Sequence, residues 1–131
     1  MVCLETSFLI DLLRGDKKAI KVKDEIDKSS ESVSIASPSV IELIKGLKIG
    51  KYRIGEEEVV YKLISSLPVL SLDKKSAIKS GHIEADLIKK GGLIDLEDIM
   101  IAAICIENKE TLLTRNEKHF TKIEGLSIKS Y

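Results

Sequence analysis

The chain has 131 residues, of which 44% are hydrophobic and 32% charged, and its 21 Lys+Arg are balanced by 21 Asp+Glu. That composition excludes a disordered chain and a membrane span. Zero net charge excludes a binder that holds nucleic acid by bulk positive charge, although local basic patches remain open. A chain this long buries roughly two-thirds of its unfolded surface, so it needs no disulfide or metal to fold. Cys3 and Cys105 lack CxxC spacing and sit in apolar runs, where they read as small buried hydrophobes. No basic leader precedes the first apolar stretch, which Glu5 and Asp11 interrupt. A cytoplasmic protein is therefore expected. No repeat, low-complexity tract or linker divides residues 1–131, and one domain is predicted from end to end.

Val2–Leu4 is a short β-prone run. Thr6 offers a cap for a helix carrying Phe8, Leu9, Leu12 and Leu13, and Gly15 fits its stop. The charged stretch 16–29 carries Ala19, Ile20, Val22 and Ile26 at helical spacing. Residues 33–36 read as a second strand. Ser37-Pro38 then opens a helix with Val40, Ile41, Leu43, Ile44 and Leu47, ending by Gly50. Residues 55–67 read as a helix with Val59, Val60, Leu63 and Ile64 inward, and 68–72 as a third strand. Asp73 caps the next helix, whose apolar positions are Ala77, Ile78, Gly81, Ala85 and Leu87/Ile88, and Gly91-Gly92 stops it. From Asp95 or Leu96 a helix runs that is apolar nearly all round, which places it centrally. Residues 111–113 form a fourth strand, Asn116 caps a short helix with Phe120, and 126–128 form a fifth, edge strand.

Short apolar strands alternating with helices imply an α/β fold with a parallel sheet, and in such sheets the site lies beyond the carboxyl ends of the strands. Glu5, Glu42, Asp98 and the run Thr114-Arg115-Asn116 all fall there. Singly, each has a plain explanation: a loop acid, a helix charge, or a cap at Asp95 and Asn116. Together they form a set of carboxylates that repel unless a proton or cation bridges them. Hard oxygen ligands suit Mg²⁺ or Mn²⁺, and metal-assisted phosphodiester hydrolysis is the reaction class the set favours. No Gly-rich phosphate loop occurs, which argues against nucleotide-dependent chemistry. His82 and His119 read as packing or local hydrogen-bonding residues. Lys45 and Lys48 read first as part of a solvated helix face, and their place just beyond Glu42 also suits contact with a phosphate backbone.

Four segments carry a family resemblance. They are Val2-Cys-Leu-Glu-Thr-Ser, Ser37-Pro-Ser-Val-Ile-Glu, Asp98-Ile-Met-Ile-Ala-Ala and Leu113-Thr-Arg-Asn-Glu-Lys-His-Phe. In this order, over essentially the whole chain, they resemble the motifs of the PIN-domain family and its VapC-like toxins. The resemblance implies a three-layer α/β/α fold with strand order 3-2-1-4-5 and a Mg²⁺- or Mn²⁺-dependent endoribonuclease. It implies Glu5, Glu42 and Asp98 as metal-binding acids and Asn116 at the fourth catalytic position. Thr6, Ser7, Thr114 and Arg115 would support the site or touch substrate. An RNA substrate, a homodimer and a VapB-like antitoxin follow from it as partners. One departure stands out, because the first acid of the family is normally Asp and here is Glu5. The extra methylene adds about 1.5 Å of reach, so a catalytically weakened RNA- or protein-binding module is the alternative. Asp95 and Glu97 are secondary candidates to Asp98.

Overall fold

The computed structural model describes residues 1–50 and 57–131. β1 (Val2–Leu4) leads through α1 (Thr6–Leu13) and α2 (Lys17–Lys28) to β2 (Val33–Ala36). From there α3 (Ser37–Ile49) and α4 (Glu57–Ser66) lead to β3 (Val69–Leu70). Then α5 (Lys74–Lys90) and α6 (Leu96–Glu107) precede β4 (Thr111–Leu113), and the short α7 (Glu117–Phe120) precedes β5 (Ile128–Lys129). The strands form one five-stranded sheet in the order β3-β2-β1-β4-β5, and every pairing is parallel.

Strand alternation divides the apolar residues between two cores. Val2, Leu4, Ile35 and Leu113 face a core completed by Phe8 and Leu9 of α1, Ala19 and Ile26 of α2, Leu43 of α3 and Val60 of α4. Cys3, Ala36 and Leu112 face the opposite core, filled by Ile83 and Leu87 of α5, by α6 and by Phe120. Both thiols are fully buried and free. The sheet thus lies between two helical layers. The apolar surround of α6 is used as expected: Ile101 to Cys105 are all at 0% exposure.

Several local expectations shift. The cap of α1 is Glu5, whose side chain accepts from Ser7 N, so Thr6 is already helical. The cap position of α3 is Ala36, with Pro38 in its first turn, and the Ser37 hydroxyl instead accepts from Leu72 N at 3.2 Å. The third strand is confined to Val69–Leu70, and the fifth starts two residues later and ends one residue later than predicted. The expected start of the 55–67 helix lies outside the described residues; within it Val60 is buried but Val59 is exposed. On α5 the expected stripe holds only at Leu87. The buried face is Ser76, Ser80, Ile83 and Leu87, while Ile78 and Ile88 are exposed. Ser76 is drawn in by a capping box with Asp73, and the Ser80 hydroxyl donates back to Ser76 O at 2.8 Å, so both serines are buried with their hydrogen bonds made.

Candidate functional site

The topology gathers the predicted residues at the carboxyl edge of the central strands. Glu5 follows β1 directly, Glu42 sits in the second turn of α3 after β2, and Thr114 to Asn116 follow β4. Asp98 lies in the first turn of α6. Since β2, β1 and β4 are adjacent in the sheet, residues up to 111 positions apart in sequence become neighbours.

Glu5 is the most enclosed of the acids, at 3% exposure, and its carboxylate is well supplied with donors. Oε2 accepts from Ser7 N at 2.8 Å, and Oε1 accepts from Ser7 Oγ at 2.6 Å and from Thr114 Oγ1. Each hydroxyl is itself held from behind: Arg115 N donates to Ser7 Oγ at 3.2 Å and Asn116 N to Thr114 Oγ1 at 2.9 Å. The extra methylene of Glu5 thus lets its carboxylate turn back to cap α1 while tying the 114–116 turn to it. A carboxylate offers about four lone-pair directions, and three are used here.

Glu42 and Asp98 are in the opposite condition. Burial raises Glu42 to about 7, helped by the negative charges of Glu97 and Asp98 and, less, of Glu5. Its one countering contact is Thr6, whose Oγ1 donates to Oε1 at 3.2 Å and also bonds Ser39 Oγ at 2.9 Å. Burial and then the Glu5 charge raise Asp98 to about 6, opposed by His119. Two half-buried carboxylates therefore share one field without enough donors to support both charges. Glu97 is the strongest like charge on Glu42, and Asp95 caps α6 only by position, its side chain making no cap bond.

Arg115 points away from this cluster. Its Nη1 pairs with Asp11 Oδ1 at 2.6 Å, Tyr131 OH donates to Asp11 Oδ2, and the Tyr131 ring packs edge-on against Phe8 at 5.1 Å. Asp11 thus ties both the 114–116 turn, through Arg115, and Tyr131 to α1. The Asn116 side chain makes no cap bond. It lines an open groove of about 710 Å³ with Arg115, Lys118, His119 and Lys122. Lys48, by contrast, is paired to Glu57 at 2.5 Å on the other flank. His119, read from sequence as a packing or locally hydrogen-bonding residue, is brought to the acids: its Nε2 lies 2.9 Å from Asp98 Oδ2. The one local signal was its place a turn beyond Asn116, where His119 N donates to Asn116 O at 3.0 Å.

The donors at this edge are carboxylates, hydroxyls, an amide and one imidazole, a set suited to a hard or borderline divalent cation. Raised, mutually repelling acids fit such a charge. Among the described residues no group of three or more His, Cys, Asp or Glu side chains is arranged to hold a metal ion as it stands, so the acids share a field without making a cage. No helix among the described residues is long and apolar enough to cross a membrane.

Residues 2–126 match the family model of the PIN domain. Ribonuclease VapC3 of Methanocaldococcus jannaschii is 31% identical over 101 residues, covering 77% of this chain and 94% of that protein. The tRNA(fMet)-specific endonuclease VapC of Salmonella typhimurium is 29% identical over 128 residues, covering 98% and 96%. The solved structure of DNA-bound VapBC from Salmonella typhimurium superposes with a TM-score of 0.85 at 28% identity, covering 99% of this chain and 98% of that one. With the strand order, the acid-lined edge and these likenesses in agreement, the chain belongs to the PIN-domain family, among its VapC ribonucleases.

Proposed function

We propose that this chain is a divalent-metal-dependent endoribonuclease acting as the toxin of a VapBC-type pair. The observation that carries the reading is the Glu42–Asp98 pair, raised to about 7 and about 6 at the carboxyl edge of the sheet. Mg²⁺ or Mn²⁺ bound there would stabilise charge on a phosphoryl group and lower the pKa of a water. Glu42 and Asp98 would hold the cation, and Glu5, its carboxylate fixed by Ser7 and Thr114, would have a lone-pair direction left to offer. Thr6 orients Glu42 through its hydroxyl. Asn116 presents its amide from the adjoining groove, and Lys118 and Lys122 line the path of a phosphate backbone.

The relatives' names include a tRNA-specific endonuclease and an antitoxin complex, which supports an RNA substrate and a VapB-like partner, both met in the cytoplasm. A homodimer belongs to the same reading. Phe8, Leu9 and Ile10 of α1 are consumed by the core, whereas Ile41 and Ile49 of α3 and Ile78 and Ile88 of α5 are exposed. Purified protein incubated with a structured RNA pool should cleave it with Mn²⁺ or Mg²⁺ and not in EDTA. Asp98→Asn should lose at least about a hundredfold in rate. Equal cleavage in EDTA, or by Asp98→Asn, would remove the proposal.

A further inference from the structure

The contact between His119 and Asp98 has an unusual geometry. Nε2 is 2.9 Å from Oδ2, close enough for an ion pair, yet the nitrogen is buried and has no aligned hydrogen-bond partner. A ring held for hydrogen bonding would turn to point its N–H at the carboxylate. This ring is held edge-on to the buried Phe120, at a centroid distance of 5.6 Å and an interplanar angle of 66°. The segment carrying it is fixed in turn, because Thr114 ties the start of the turn to Glu5 and Asn116 O accepts from His119 N. The nitrogen thus sits 2.9 Å from the carboxylate oxygen without the alignment of a full hydrogen bond.

Two atoms bound at right angles to one divalent ion stand roughly 3 Å apart, √2 times a bond of about 2.1 Å. We infer that His119 Nε2 is itself a metal ligand, sharing the cation of Asp98 and adding a nitrogen to an otherwise all-oxygen set. This rests on the metal-dependent reading above. The consequence is selectivity. Imidazole nitrogen adds little for Mg²⁺, which prefers oxygen, and more for Mn²⁺, which lies higher in the divalent series. His119 thus biases the site towards Mn²⁺.

The direct test is pulsed electron paramagnetic resonance of Mn²⁺ bound to the full chain, read for ¹⁴N modulation, beside Mn²⁺ and Mg²⁺ titrations by calorimetry. The wild type should show nitrogen coupling that is lost in His119→Ala. That variant should bind Mn²⁺ about tenfold or more weakly while its Mg²⁺ affinity changes by about twofold or less. Circular dichroism will show whether the variant is folded, and the wild-type spectrum stands without it. Mn²⁺ bound in the wild type with no nitrogen coupling would overturn the inference and leave the metal reading intact. No Mn²⁺ binding by the wild type would overturn both.

Discussion

Two pairs of acids in this molecule are built in opposite ways. Glu5 and Asp11, at 3% and 6% exposure, are the more deeply enclosed. Glu5 has three donors, and Asp11 has Arg115 and Tyr131. Glu42 and Asp98 are less buried, yet burial and like charge raise both well above the ordinary carboxylate range. What separates the pairs is the supply of donors, not depth. A satisfied buried acid holds the fold together, and an undersupplied one stores a demand for positive charge. The first pair fixes the 114–116 turn and the chain end. The second is where a cation gains most.

The comparison breaks most sharply under substitution. Glu42→Gln should abolish metal-dependent cleavage by at least about a hundredfold while raising the metal-free melting temperature at pH 8, because it removes repulsion. Thr114→Ala should do the reverse to stability, costing about 1–3 kcal/mol in urea unfolding by taking a donor from the enclosed Glu5. If both substitutions destabilise the chain alike, the distinction between the pairs fails.

A pH series sharpens it. Both undersupplied acids bind their protons more tightly folded than at the ordinary values of 4.5 and 3.8. Their contribution to stability is therefore fully present below about pH 4 and is lost as pH rises through about 6 and about 7. Without metal, these groups should lower stability by about 1–3 kcal/mol between pH 5 and pH 8, after discounting for their partial exposure. Thermal melts should show the decline in EDTA and its recovery on adding Mn²⁺ at pH 8. The smallest effect is expected at the groove. Lys118→Ala with Lys122→Ala should weaken single-stranded RNA binding in EDTA and reduce the salt slope by about 1.4, or about 0.7 for each phosphate no longer neutralised.

Much of this arrangement is legible in the sequence because local signals agree with the global fold. The strands are short apolar runs, and Gly15, Gly50 and Gly91 mark helix ends at φ of 76°, 68° and 74°, where a side chain would be strained. The α/β alternation then puts Glu5, Glu42, Asp98 and Asn116 at one edge. The phase of α5 is not legible, because it carries two competing stripes, and the buried one contains Ser76 and Ser80, whose hydrogen bonds are local. Nor is the inward turn of Glu5, which depends on hydroxyls at positions 7 and 114 converging in space. His119 is hidden for the same reason. It reads as a histidine in a charged segment until β4 and α6 are packed together and Asp98 stands beside it.

The central claim is that the undersupplied pair is a cation site, and calorimetric titration of Mn²⁺ into the metal-free protein at pH 8 tests it most directly. Wild-type protein should bind Mn²⁺ and release few protons at that pH, since both acids are already ionised, with more released at pH 6. Glu42→Gln should bind at least about tenfold more weakly. Equal binding by Glu42→Gln and wild type, or no binding by the wild type, would contradict the account.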